Sequence, residues 1–489
     1  MNKYIFKGIQ PSAKLLCSIL LVTLLPQIVT AIQKKSNQKP NIIFLLADDL
    51  RYNSLGCMGN KIIKTPNIDL LAKEGTLFKN SFATTPICAI SRASIFSGQY
   101  SKRHGIQDFQ ADFTEKARMN NYPEILRQNG FYTGFIGKYG VGTLGKSRGA
   151  NMPVKDFDYW KGFEGHGVYF YKDKNNQSIH STDMIGDQSI DFLKIRDKSK
   201  PFCLSVSFKA PHVEDGNSIH NGYLYSPFYE NYYSTVTIPH PANGGDQYYN
   251  AFPESFRIGQ NGLENEARVR WGLRFSTEEK FQESVKSYYR LVTGIDDAVK
   301  RIVTELKKQR IEKNTIIIFS SDNGYSLADH GLEGKWYAHD VSLRIPLIIY
   351  DGRKTKNKKI ISHISLNVDL APTILDYAGL PIPNSMQGKS LQPLAEGKKP
   401  EWRNEFYYDH LFETVGTKVY IPKSEGLVTL RYKYARYFTG NNPNEFFYEE
   451  LFDAKTDPLE INNLATKSEM VALKNELIQK MKILSTTLK

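Results

Sequence analysis

Five short apolar runs constrain this chain more than any other feature. They cover residues 42–47, 131–136, 202–208, 315–320 and 345–350, and most are close to continuous rather than alternating, with Ser205 and Ser207 interrupting the third. A strand with one face in water alternates apolar and polar residues. A continuous run reads as a strand covered on both faces, the usual state of a buried parallel strand. Helical patterns lie between some of them. In the clearest, from Glu278 to about Arg310, the residues Phe281, Val285, Tyr288, Val292, Ile295, Val299, Ile302 and Leu306 recur near a 3.6-residue period. Thr65-Pro66 has the cap-then-proline form of a helix start ahead of Ile68, Leu71 and Ala72. Strands alternating with helices predict an α/β fold, with a large mixed, mostly parallel sheet sandwiched by helices.

The pattern changes after about Gly388. Segments 406–409, 427–431 and 434–437 read as short antiparallel strands, and about 467–484 as a terminal helix. The expected organisation is a leader over 1–31, a large α/β domain over 32–387 and a smaller C-terminal α+β domain over 388–489. The leader is read from Lys3, Lys7 and Lys14 ahead of the apolar run 15–25, with the small residues Val29-Thr30-Ala31 where cleavage would fall. That run is short for a membrane span, which needs about 20 residues. The expectation is a periplasmic or secreted protein with no stable membrane insertion after cleavage. Residues 216–261, rich in Tyr, Asn, Pro and Gly, read as a long inserted loop.

The formal charge of +13 favours anionic partners. The basic residues are scattered and show neither a basic repeat nor zinc-finger spacing, which argues against nucleic acid. A small anionic group or a sulfated polymer fits. Cys17 falls in the leader, leaving Cys57, Cys88 and Cys203. An odd number leaves at least one thiol unpaired in an oxidising compartment.

Four of the apolar runs lead into polar groups: Asp48-Asp49, Gly137-Lys138, Lys209-Ala210-Pro211-His212 and Asp322-Asn323-Gly324. Ligands of open α/β sheets bind beyond the carboxyl ends of the strands, so these groups should meet at one rim. Asp48, Asp49, Asp322 and Asn323 offer only oxygen-rich side chains, a set suited to a hard cation such as Ca²⁺ or Mg²⁺ rather than Zn²⁺. Three carboxylates packed without a cation would repel, and one would tend to hold a proton. The same short segments are also the composition of ordinary strand-ending turns. Cys88 stands just before a helix expected to begin near Ser91, where the helix end and Arg92 would stabilise an anion. The commoner fate of a free cysteine is a small apolar place in a core.

The segment Cys88-Ala89-Ile90-Ser91-Arg92, closed by Ser97-Gly98, resembles the signature of the type I sulfatases, which are similar to alkaline phosphatase in fold. The resemblance runs from Asn41 to about Ala465. It takes in Thr65-Pro66-Asn67-Ile68-Asp69, Arg103-His104-Gly105, Gly137-Lys138-Tyr139 and Ala210-Pro211-His212. Further on it takes in Asp322-Asn323-Gly324 and His330-Gly331-Leu332 through Gly334-Lys335-Trp336. It implies hydrolysis of sulfate esters, with a sulfated carbohydrate or polysaccharide as the expected substrate. It implies that Asp48, Asp49, Asp322 and Asn323 bind one Ca²⁺, and that a formylglycine-generating or sulfatase-maturing enzyme oxidises Cys88 to formylglycine. The hydrate would attack sulfur, Arg92 and Lys138 would steady it and the sulfate, Lys335 would hold a sulfate oxygen, and His212 would protonate the leaving alcohol. Ile90 stands where the family usually has Pro or Ala. Gly140 stands where many relatives carry a histidine, and His166, in Gly165-His166-Gly167, is the candidate to replace it. Lys209 and His330 are further candidates for substrate contact. A phosphoester hydrolase on the same fold and a non-catalytic binder of sulfated glycans are the competing functions.

Overall fold

The computed structural model describes residues 1, 39–142, 152–173, 175–259, 262–354, 358–412 and 418–488. The leader expected over 1–31 lies, except for Met1, outside them. Asn41–Lys489 form one compact unit. Among the described residues no helix is long and apolar enough to cross a membrane.

The core is an eight-stranded sheet. Its strands are β1 (Asn41–Asp48), β2 (Thr76–Phe82), β3 (Tyr132–Lys138), β4 (Tyr159–Phe163), β5 (Phe202–Pro211), β6 (Thr315–Ser321), β7 (Arg344–Asp351) and β8 (Lys359–Leu366), in the spatial order β8-β2-β7-β6-β1-β5-β3-β4. The strands β6, β1, β5, β3 and β4 are mutually parallel neighbours. Only β7 runs against the rest, pairing antiparallel with both β6 and β2. The apolar run 345–350 is therefore a buried strand as expected, but not a parallel one. Burial on both faces writes the same continuous apolar pattern whichever way a strand runs.

Successive side chains of β1 go to opposite layers. Ile43, Leu45 and Ala47 join one apolar cluster, and Ile42, Phe44 and Leu46 join the other. Three helices supply the first layer: α1 (Pro66–Glu74), α3 (Ser181–Ile195) and α4 (Glu278–Lys308). In the second layer are α2 (Cys88–Ser97) and α5 (Leu370–Tyr377). The long α4 begins where Thr277 accepts a hydrogen bond from Lys280 N, with Glu278 and Glu279 in its first turn and Lys307 and Lys308 in its last, each favouring the helix dipole. It ends in a paired cap: Ile311 N donates to Leu306 O and Arg310 N to Lys307 O, with Arg310 at φ 60°. Its apolar stripe is buried from Phe281 to Leu306. Truncating a fully buried member such as Leu306 to alanine should cost about 2–5 kcal/mol.

Beyond the main sheet lie β9 (Glu405–His410), β10 (Lys423–Thr429), β11 (Tyr432–Phe438) and β12 (Phe446–Asp453), forming an antiparallel sheet in that order. One face carries Tyr407, Leu427, Tyr434 and Leu451 against Leu477 and Met481 of the terminal helix α6 (Val471–Thr487). The other face carries Phe406, Tyr408, Val428 and Tyr437 into a cluster with Ile87, Ile90 and Trp336. The second sheet thus buttresses the segment that holds Cys88. Asp409 adds polar ties, accepting from Thr85 Oγ1 at 2.6 Å and from Ser101 Oγ at 2.7 Å.

Candidate active site

The groups singled out after the strands converge because β6, β1, β5 and β3 are neighbours whose carboxyl ends face one way. Asp48 closes β1, Lys138 closes β3, His212 follows β5 and Asp322 follows β6. All four are buried, as are Asp49, Asn323, Arg92 and Lys335. Asp49 adopts φ 64°, a left-handed conformation that aspartate tolerates better than most residues. That turn lets its backbone N–H donate to Asp322 Oδ1 at 3.1 Å.

Arg92 fastens the strand ends together. Its Nε donates to Asp322 Oδ2 at 2.8 Å, and one terminal nitrogen reaches Lys138 O at 2.8 Å and Ser207 Oγ at 2.5 Å. The other lies 3.8 Å from Asp48 Oδ1. Lys138 Nζ donates to Asp48 Oδ2 and Lys335 Nζ to Asp49 Oδ1. Asn323 Nδ2 donates to Asp49 Oδ1 at 2.7 Å. His212 Nε2 stands 3.6 Å from Asp49 Oδ2, and the ring's Nδ1 is 2.5 Å from the carbonyl oxygen of Val213.

Charge and burial compete at each carboxylate. Burial would raise Asp48, but Lys138, His212 and Arg92 together hold it well below the usual carboxylate range. Burial, joined by Asp48, raises Asp49 against the pull of Lys335. Asp322 is pushed up to about 7 by burial and by Asp48, against Arg92. Two buried oxygens in the cluster, Asp48 Oδ1 and Asn323 Oδ1, accept no hydrogen bond from any of the described residues. Buried acceptors are nearly always partnered. An all-oxygen set of three carboxylates and one amide, with two acceptors left open, fits a hard cation. Asp48, Asp49 and His212 also offer ligand atoms within 4.8 Å of one another.

Cys88 is the first residue of α2, three residues earlier than expected, and is 1 % exposed. No side chain caps that helix, because Ile87 is its N-cap residue. Burial raises the thiol, opposed by Lys138 and then Lys335, with Asp48 and Asp322 also within electrostatic reach. The sulfur therefore lies among the same charged groups.

The remaining candidates divide. His166 is brought to the rim: its Nδ1 is 3.2 Å from Lys138 Nζ, and its ring stacks on His212. Lys209 is buried and turned into the protein, donating to His166 O at 3.0 Å and lying 4.9 Å over the Tyr169 ring. Those contacts tie it to the His166 loop. Burial, then Lys138, lowers it to about 8. His330 is not joined to this cluster. Its ring stacks 4.3 Å from His339, and its Nε2 is 3.1 Å from Asn243 Nδ2. Supporting groups that the sequence did not mark are Ser207, Tyr288, whose hydroxyl donates to Asp49 O at 2.7 Å, and Tyr169, whose hydroxyl donates to His212 O at 2.5 Å. The alternation of Ser205 and Ser207 within an otherwise apolar strand was the one available signal.

Both departures have a physical reason. Ile90 is buried in the apolar cluster that also takes in Tyr408 and Tyr437 of the second sheet, a setting that suits a bulky apolar side chain. Gly140 adopts φ 81°, and a Cβ at this position would meet Arg92 Cδ at 2.5 Å. A Gly140→His variant should lose about 1–3 kcal/mol in denaturant unfolding. An unchanged midpoint would show that Arg92 can yield.

Comparison with known proteins shows the family. The Sulfatase family model matches residues 40–380, and the model of the N-sulphoglucosamine sulphohydrolase C-terminal region matches 328–487. An N-acetylglucosamine-6-O-sulfatase of Bacteroides thetaiotaomicron is 30 % identical over 91 % of this chain and 86 % of its own. An ulvan-active sulfatase of Formosa agariphila is 29 % identical over 97 % of this chain and 86 % of its own. A solved structure in complex with its substrate D-glucosamine-2-N,6-O-disulfate superposes with a TM-score of 0.74 at 27 % identity, covering 92 % of this chain and 98 % of that one.

Proposed function

Because the chain belongs to the sulfatase family, we propose that it hydrolyses sulfate esters of a carbohydrate or polysaccharide through formylglycine made from Cys88 and one calcium ion, in the periplasm or outside the cell. The sugar assignment is supported by the relatives, one named for N-acetylglucosamine 6-O-sulfate and one for ulvan, and by the structure bound to a glucosamine disulfate. The site's own support is the buried Cys88, whose thiol feels the charges of Lys138 and Lys335, together with the two oxygens Asp48 Oδ1 and Asn323 Oδ1, unpartnered among the described residues.

Asp48, Asp49, Asp322 and Asn323 would hold the calcium ion, which supplies positive charge against the sulfate and its attacker. Cys88 as formylglycine would supply, in its hydrated form, one hydroxyl as nucleophile and a second that allows sulfate to be released, chemistry that a plain thiol does not offer. A maturing enzyme is therefore the partner the chain needs. A sulfate ester is an anion that repels another anion, and Lys138, Lys335 and Arg92 offset that repulsion where water is excluded. His212 serves as the acid only once a proton has been taken up on its second ring nitrogen, and that proton then goes to the departing sugar oxygen. Its Nδ1 is occupied by the Val213 carbonyl, so Nε2 is the nitrogen that exchanges the proton. Replacing it should slow turnover by about 10²–10⁴-fold.

The test is turnover of matched aryl sulfate and aryl phosphate by protein co-expressed with a maturing enzyme. Sulfate should be strongly preferred. A phosphate preference would move the assignment to a phosphoester hydrolase, and no turnover with a wholly unmodified Cys88 peptide would move it to a glycan-binding protein.

A further inference from the structure

Two imidazoles stand face to face at the rim, and their hydrogen bonds impose opposite tautomers. His166 and His212 stack with centroids 4.8 Å apart and planes 25° from parallel. His166 Nδ1 lies 3.2 Å from Lys138 Nζ. An ammonium has protons and no lone pair, so Nδ1 accepts, and the neutral ring carries its proton on Nε2. His212 Nδ1 faces a carbonyl oxygen at 2.5 Å, which only accepts, so there Nδ1 donates and Nε2 bears the lone pair. One ring is a fixed donor at Nε2, and the other can take up and release a proton.

Charge keeps the donor neutral. Lys138 first, and burial second, hold His166 well below the ordinary histidine range. An imidazolium there would also confront the Lys138 ammonium directly. Among the described residues nothing accepts from His166 Nε2, and the ring is half-buried. The loop that presents it is anchored from below. Gly165 and Gly167 flank it at φ 62° and 61°, and buried Lys209 donates to its carbonyl at 3.0 Å. The place at 140 where a side chain would compete is closed by Arg92.

We infer that His166 is a substrate-contacting residue, a neutral donor to an oxygen of the sulfate group, and that Lys209 is a positioning residue holding its loop. This rests on the sulfatase reading. The experiment uses full-length, matured, calcium-loaded enzyme whose formylglycine content is equal across variants by peptide mass. Calorimetry with inorganic sulfate and kinetics with an aryl sulfate are the readouts. His166→Ala is expected to weaken sulfate binding about tenfold and to lower kcat/KM by about 10²-fold. His166→Gln, which keeps a side-chain donor, should recover part of both losses. Lys209→Met should reproduce the His166→Ala losses, and the double variant should add little. Sulfate affinity and kcat/KM within twofold of the parent in His166→Ala would overturn the donor. A Lys209→Met enzyme equal to the parent would overturn the positioning role. A parent that binds sulfate yet hydrolyses no sulfate ester would instead overturn the sulfatase reading.

Discussion

A Cys88→Ala enzyme is expected to fold like its parent and to lose at least about 10⁴-fold in kcat/KM on an aryl sulfate. Folding should survive because the change removes a single sulfur from the first turn of α2, and a small core truncation costs about 1 kcal/mol. Turnover should not survive, because Lys138, Lys335 and Arg92 can hold a sulfate but none of them can attack it. The comparison needs equal calcium content, an unfolding midpoint for each protein and the mass of the Cys88 peptide in the parent. Full activity with alanine at 88 would end the nucleophile assignment. Full activity of a parent whose peptide carries only the thiol would end the formylglycine assignment and leave the nucleophile standing.

Asp48→Asn should be nearly as damaging, through metal and stability together. Asp48 faces Lys138 and Arg92 in a fully buried setting, and Asn keeps the shape while removing the charge that offsets theirs. Breaking a buried pair from one side costs about 3–5 kcal/mol. Bound calcium should fall from one per chain toward none by elemental analysis. Stripping the parent with a chelator separates the two effects, since Asp48 then stays in place. The stripped parent should lose about 10²–10⁴-fold in rate, several kcal/mol of barrier, and calcium should restore it. A stripped parent, shown to be free of metal, that keeps its rate would remove the cation from the chemistry.

The strands that build the rim were legible because burial on both faces leaves unbroken apolar runs, as in β1 and β6. The strand β2 was not, since its exposed Lys79 and half-buried Asn80 break the run. Direction was illegible for β7, because pairing partners and not its own residues decide which way a strand runs. The start of α2 was misplaced because Ser91 has the chemistry of a cap, whereas Ile87, the residue in that position, has none. The convergence of Asp48, Asp49, Lys138, His212, Asp322 and Asn323 could be foreseen from strand ends alone. The standing of Lys209 could not. Whether a lysine faces ligand or backbone depends on where the 164–168 loop lies, and no local pattern encodes that. The left-handed φ of 55° at His330 and its stacking on His339 were likewise illegible, since both depend on residues distant in sequence or on backbone the local pattern does not encode.

Every residue of α2 is buried, and the second sheet closes over Ile87 and Ile90 on either side of Cys88. On the proposed maturation, a modifying enzyme would have to grip that stretch of chain before it is sealed, so oxidation of the thiol and collapse of the polypeptide would be in a race. Molecules that fold first would then be locked in an inert form that no later incubation repairs. Slower synthesis, or more of the oxidising catalyst, would then raise the working fraction of a preparation without altering a single contact in the finished protein.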